Sequence, residues 1–127
     1  MQQLFVWRVD SQGFALPFPN VARVVRAAAL MPAQQSSPFI CGLLDVQGKL
    51  LPVVDVRKRF HLPERSISPA DHFIIVHTAK RMLALWADTV DGLMDCQDAE
   101  PAQDGMTRLA EGILLLHDLE QCLEAAH

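Results

Sequence analysis

Tyrosine is absent from this 127-residue chain, and its aromatic residues are six Phe and two Trp. A barrel that binds single-stranded nucleic acid needs stacking aromatics interleaved with cations, so this scarcity speaks against that class, as does a net charge of −4. Long hydrophobic runs are also missing. Those present, such as Gly112 to Leu116 and Phe73 to Val76, have the length of strands and fall far short of the ~18 residues of a membrane helix. The opening MQQLFVWRVD has neither a basic n-region nor a cleavage site, so secretion is not expected. Cys41, Cys96 and Cys122 are three in number and widely spaced. A disulfide framework calls for an even, dense set, and a reducing, cytoplasmic setting fits better. No Cys-x-x-Cys pair, HExxH helix, GxGxxG fingerprint, P-loop or GxSxG elbow occurs, which leaves no signature for a metal, cofactor or nucleophile.

What is present is globular: half the residues are apolar and a fifth are charged. One domain spanning 1–127 is expected at this length. Charge is unevenly spread. Residues 1–65 hold eight Lys/Arg against four Asp/Glu, and residues 66–127 hold three against eleven. If the fold keeps these halves apart, such polarity steers oriented docking; if the halves interleave, it cancels.

The dominant period is two, the signature of strands. Leu4 to Val9 and Phe14 to Leu16 flank Ser11-Gln12-Gly13 as a first hairpin, which Pro17 and Pro19 end. Asn20 is placed to cap a helical turn through Val21-Ala22-Arg23. Residues 31–38 read as a loop. Phe39 to Val46 and Lys49 to Arg57 flank Gln47-Gly48 as a second hairpin, and Pro52 calls for an edge or a bulge there. Arg57 to Phe60 suits one helical turn, and Leu62 to Asp71 a Pro- and Ser-rich loop. Phe73 to His77 and Met82 to Trp86 make a third hairpin, continued by Thr89 to Met94 with a bend at Gly92. Residues 95–105 read as a loop, Ile113 to Leu116 as the last strand, and Asp118 with Gln121 as the capping box of a short terminal helix. Many short strands punctuated by Gly and Pro point to barrels, not a βαβ sheet.

Each chemically suggestive residue also has a plainer explanation. His72 and His77 are five apart in one strand, hence on opposite faces, and cannot share a metal ion. His61, His117 and His127 offer no ligand spacing. Cys41 lies in a strand beside Gly42 and reads as a buried structural thiol. Asp55, Asp88, Asp91, Asp95 and Asp118 stand at strand ends, where aspartate commonly forms turns or surface charge. The run Arg57-Lys58-Arg59, with His61 and Arg65 nearby, is either a solvated turn or a patch for docking protein.

The stretch FICGLLDVQGKLLPVVDVRKRF, Phe39 to Phe60, closely resembles the CheW-like coupling domain of bacterial chemotaxis. Ile40, Gly42, Gly48, Pro52, Asp55 and Arg57 fall in step with that family's signature. FVWRVDSQGFALPFPNVARVV, HFIIVHTAKRMLALWADTVDGLMD and EGILLLHDLEQCL resemble its first hairpin, central hairpin and closing segment, so the likeness spans nearly the whole chain. It implies a mostly β fold of two small intertwined five-stranded barrels with a short C-terminal helix, and no active site, metal or cofactor. It also implies two partners: the regulatory domain of a CheA-type histidine kinase, and the cytoplasmic tips of methyl-accepting chemoreceptors. By position, Val21, Gly42, Gln47, Gly48, Asp55 and Arg57 match partner-binding places. Arg57 would either contact a partner or anchor the fold by pairing with Asp55. Three departures stand out. Gln47 replaces the family's usual Arg, which removes a bidentate donor from one docking face. Ala87 replaces a usual valine, and the segment from Asp95 to Ile113 is short. A related pathway serving pili or surface motility, or a small-ligand-binding barrel, are the alternatives.

Overall fold

The computed structural model describes residues 3–33 and 37–95 in full, and residues 100–101, 107–108 and 113–114 at the level of the backbone. The protein is mostly β. Strands β1 (Gln3–Val9), β2 (Gln12–Pro17) and β3 (Val21–Arg26) are followed by β4 (Ile40–Val46), β5 (Lys49–Val54) and a one-turn helix α1 (Val56–Arg59). Then come β6 (His72–His77), β7 (Met82–Ala87) and β8 (Thr89–Asp95), and the two-residue strands β9 (Glu100–Pro101), β10 (Thr107–Arg108) and β11 (Ile113–Leu114). They form a three-stranded sheet in the order β2-β1-β8, a five-stranded sheet in the order β3-β6-β7-β5-β4, and a small sheet β11-β10-β9. β10 and β11 lie against β2.

Burial on both faces holds these sheets together. Along β6, Ile74 and Val76 join one core cluster while Phe73 and Ile75 join another, and β7 divides the same way. Alternate residues of a strand point to opposite faces, so this central pair is covered on both sides. The first cluster also takes Phe5, Trp7, Val9, Phe14 and Leu16 from the three-stranded sheet, which makes it the joint between the two sheets. Trp7 stacks on Phe14 with ring centroids 5.0 Å apart, and Phe14 meets Phe60 of the segment after α1 at 5.2 Å. Each such aromatic pair contributes about 0.5–1.5 kcal/mol beyond its buried area.

One of the two expected five-stranded units is thus present as a five-stranded sheet. The other is three-stranded with the small sheet beside it. The expected terminal helix at Asp118 to Leu123 lies outside the described residues. All three hairpins form, and the helical turn expected from Arg57 begins at Val56. The turn expected at Val21-Ala22-Arg23 is instead the start of β3. Its three valines suit a strand, and pairing with β6 from Val21 to Arg26 settles the matter. A 3-10 turn precedes it at Phe18–Asn20, and the Asn20 side-chain amide donates to the His77 carbonyl at 2.8 Å. Residues 95–105 are not all loop: Asp95 ends β8, and Glu100 with Pro101 forms β9. β5 is not an edge strand, because β4 flanks it on one side and β7 on the other; of the expected edge or bulge it is the second that occurs nearby, a register shift in β4 between Ile40 and Gly42 opposite Val54 and Val53. Pro52 is tolerated because the parallel pairing with β7 covers Val53 and Val54 and does not reach it. Gly92, at φ +107°, bends β8 beside a register shift against Val6 and Trp7, as expected.

Candidate protein-docking site

The β4–β5 turn is the most exposed of the sites marked in the sequence. Gln47 and Gly48 both adopt left-handed backbone angles, φ 53° and 86°, the pattern of a type I′ hairpin turn. Asp45 Oδ1 accepts a 2.8 Å bond from the Gly48 N–H and braces that turn. Both residues are exposed, so the Gln47 amide is presented on a rigid support. Val21, half-buried, opens β3 and packs on the joint core. Its neighbours Ala22 and Arg23 line one cavity with Gln47, which brings the start of β3 and the β4–β5 turn to the same place.

Gly42 sits apart from these and is buried. A Cβ there would stand 2.8 Å from Leu30 Cβ and 3.0 Å from the Met31 carbonyl oxygen. The backbone that needs glycine here is the chain's own: Met31 and Leu43 exchange two backbone bonds of 2.9 and 2.8 Å. Gly42 therefore lets the segment after β3 lie across β4.

Asp55 and Arg57 do not pair with each other. The Asp55 side chain caps α1, accepting from the Lys58 N–H at 3.3 Å. Arg57 is 2% exposed, and its Nη2 donates to both Asp88 oxygens at 2.5 and 2.6 Å. Asp88 Oδ1 also accepts from Arg65 at 2.9 Å, and Asp88 Oδ2 from the Asp10 N–H at 2.8 Å. Arg65 makes two further bonds, of 2.9 and 2.8 Å, to Asp71. Asp71 Oδ2 additionally receives Trp86 Nε1 at 2.9 Å and the Ser68 N–H at 2.8 Å. Both guanidinium groups lie over the Trp86 ring, at 4.7 Å for Arg57 and 5.7 Å for Arg65. This network ties the β1–β2 turn, α1, the loop before β6 and the β7–β8 junction into one clamp across the two sheets. Burial alone would raise the Asp71 carboxyl; its bonds to Arg65, Ser68 and Trp86 outweigh that and hold it down at about 2.

The Arg57-Lys58-Arg59 run is consequently no patch. Arg57 is buried, Lys58 is exposed, and Arg59 is half-buried over the Phe60 ring at 5.0 Å. Asp88, taken from the sequence as a turn or surface charge, is the hub of the clamp. The sequence signals for it were its place between the β7 and β8 runs and the resemblance of Ala87-Asp88-Thr89-Val90 to the family's V-D-x-V pattern, neither of which names Arg57 as its partner. Cys41 is exposed, not buried, and its Sγ turns to the Val53 carbonyl at 3.5 Å. Packing around the sulfur, and then the Asp55 charge, push its pKa up to about 12, so the thiolate needed of a nucleophile is scarce. Among the described residues no group of three His, Cys, Asp or Glu is arranged to hold a metal ion. Among them, too, no helix is long and apolar enough to cross a membrane.

A family model for the CheW-like domain matches residues 3–127. The chain belongs to the CheW-like domain family. Among curated relatives, it is 31% identical to protein FrzA of Myxococcus xanthus over 115 residues, 89% of this chain and 72% of that one. It is 28% identical to the chemotaxis protein CheW of Bacillus subtilis over 75 residues, covering 59% of this chain and 48% of the relative. The crystal structure of the scaffolding protein TtCheW from Thermoanaerobacter tengcongensis superposes with a TM-score of 0.72 at 22% identity, over 88% of this chain and 85% of that one. That likeness establishes the fold as the CheW scaffold fold. The clamp and the exposed Gln47–Gly48 turn are thus features of a CheW-like domain.

Proposed function

We propose that this CheW-like chain is a non-catalytic cytoplasmic adaptor, one domain over 1–127, that couples chemoreceptor tips to a CheA-type histidine kinase. The observation that carries this reading is the family match over residues 3–127, supported by relatives named CheW and FrzA. A coupling protein has to present stable surfaces to two partners at once. The buried clamp and the rigid turn suit that task, since surfaces fixed before docking lose little entropy on binding. Gln47, Gly48 and Val21 belong to the docking face. Gly42 holds β4 against the segment after β3 at the Met31 bridge, and Asp55 and Arg57 fix the far end of β5 through the α1 cap and the Asp88 pair.

Calorimetric titration with the kinase regulatory domain and with the receptor tip, both from the same cell, tests the proposal. Measurable binding to each is expected, and heat from neither partner would overturn it. Gln47 favours a second reading in which the same domain serves a chemosensory pathway for pili or surface motility. In that case the partners encoded by that pathway bind, and the chemotaxis pair does not.

A further inference from the structure

β3 and β4 end the five-stranded sheet on opposite sides. The chain after β3 returns to β4 through the Met31–Leu43 bridge. Beyond that bridge, toward the β4–β5 turn, no ladder joins the two strands, and a groove lies between them. It consists of two adjoining cavities of about 290 Å³ each, which share Arg23, Val46 and Gln47 as walls. Leu51 and Ile75 line one cavity, Val25 and Leu44 the other. Arg23, Arg26 and Lys49 stand along this apolar trough, all exposed and, among the described residues, in no salt bridge. Asp45 is the one carboxylate in the lining, and its Oδ1 is engaged by the Gly48 N–H.

An apolar trough edged by three cations, in a chain of net charge −4, selects for a partner of opposite pattern. We propose that this groove seats an acidic segment of a partner protein, with apolar side chains in the trough and carboxylates against Arg23, Arg26 and Lys49. The inference rests on the adaptor reading and deepens it. Gln47 lies on the wall between the two cavities, and Arg23 and Lys49 line one of them with it, so its neutral amide stands between cations that a carboxylate can meet.

Two measurements test this on the full chain. In the first, a synthetic peptide of alternating Glu and Leu is titrated while backbone amide shifts are recorded, with a Lys/Leu peptide as control. Shifts centred on Arg23, Val46 and Gln47 with the acidic peptide alone are expected, and their loss in an Arg23→Glu/Lys49→Glu double variant. Shifts elsewhere, or equal response to the Lys/Leu peptide, overturn the groove. In the second, the double variant is titrated with whichever of the kinase regulatory domain and receptor tip binds the parent chain. Affinity weaker by roughly 30-fold or more is expected for two charge reversals facing carboxylates. Lys58→Glu, the same change on α1, should shift it less than threefold. Unchanged affinity in the double variant, or an equal loss with Lys58→Glu, overturns the inference. Binding of the acidic peptide without binding of either protein would sink the adaptor reading and leave the groove standing.

Discussion

Replacing Asp88 by Asn removes one negative charge and keeps the shape of the side chain, so it tests what that charge does for buried Arg57 and, beside it, for half-exposed Arg65. Arg57 is 2% exposed and Asp88 20% exposed. With the carboxylate gone, the buried guanidinium keeps the Trp86 ring at 4.7 Å but has no anion. Removing one partner of a buried ion pair costs about 3–5 kcal/mol. The Asn oxygen still accepts one bond and the site is partly hydrated, which puts the cost near the lower end, about 3 kcal/mol. For a chain of this size that lowers the thermal midpoint by roughly 10 °C. Asp55→Asn is the matched control. Asn caps a helix as well as Asp does, so its cost should stay below about 1 kcal/mol. Urea unfolding followed by tryptophan fluorescence measures both, and Trp86 reports directly on the clamp. A double variant, Arg57→Met with Asp88→Asn, should be more stable than Asp88→Asn alone, because it removes the stranded charge. If Asp55→Asn costs as much as Asp88→Asn, or the double variant is the least stable of the set, Asp88 is not the anchor of Arg57.

Gly42→Ala should destabilise by about 1–3 kcal/mol, as overpacking does, and should speed amide exchange at Met31 and Leu43, whose bridge it pushes apart; unchanged exchange there would contradict the close approach. Asp71 has a folded pKa of about 2 against an ordinary 3.8. Its stabilisation is therefore complete above about pH 4 and lost as pH falls toward 2, and Asp71→Asn should flatten the stability profile in that window alone. Iodoacetamide at pH 8 should modify Cys41 more slowly than an unstructured cysteine peptide, despite its exposure, because packing around the sulfur and the Asp55 charge push its thiol up to about 12; labelling at the peptide's rate, read by mass spectrometry, would refute that rise.

The strands were legible because their cause is local. Apolar runs in β1, β4, β6 and β7 and a Gln-Gly turn each declare themselves within a few residues. Pairing partners were not legible. Whether Val21 to Arg23 curls or extends depends on β6, some fifty residues away, and the ladder with β6 outweighs the capping preference of Asn20. The first turn illustrates the same limit. Asp10 and Ser11 carry the positive φ values of 50° and 75°, so the turn starts one residue ahead of the expected Ser11-Gln12-Gly13. The Asp10 N–H is held by the Asp88 carboxylate, a contact no local window contains.

The site divides along the same line, and the division explains what the charged run at 57–59 is for. Three adjacent cations look like one surface feature, yet α1 is a single turn, so consecutive side chains leave it about 100° apart. One of them has to point into the sheet joint, and Arg57 does so. A buried arginine is tolerable only with an anion at hand, and Asp88 supplies it. Asp88 can do so because the β7–β8 junction crosses between the two sheets at that point, with the Asp88 N–H bonded to the Arg8 carbonyl at 2.9 Å. The same carboxylate then recruits Arg65 and the Asp10 backbone. The basic run therefore serves mainly to hold the sheet joint still, while the exposed cations of the proposed groove, Arg23, Arg26 and Lys49, are scattered over β3 and β5 and converge only when β3 and the β4–β5 hairpin fold to its two sides.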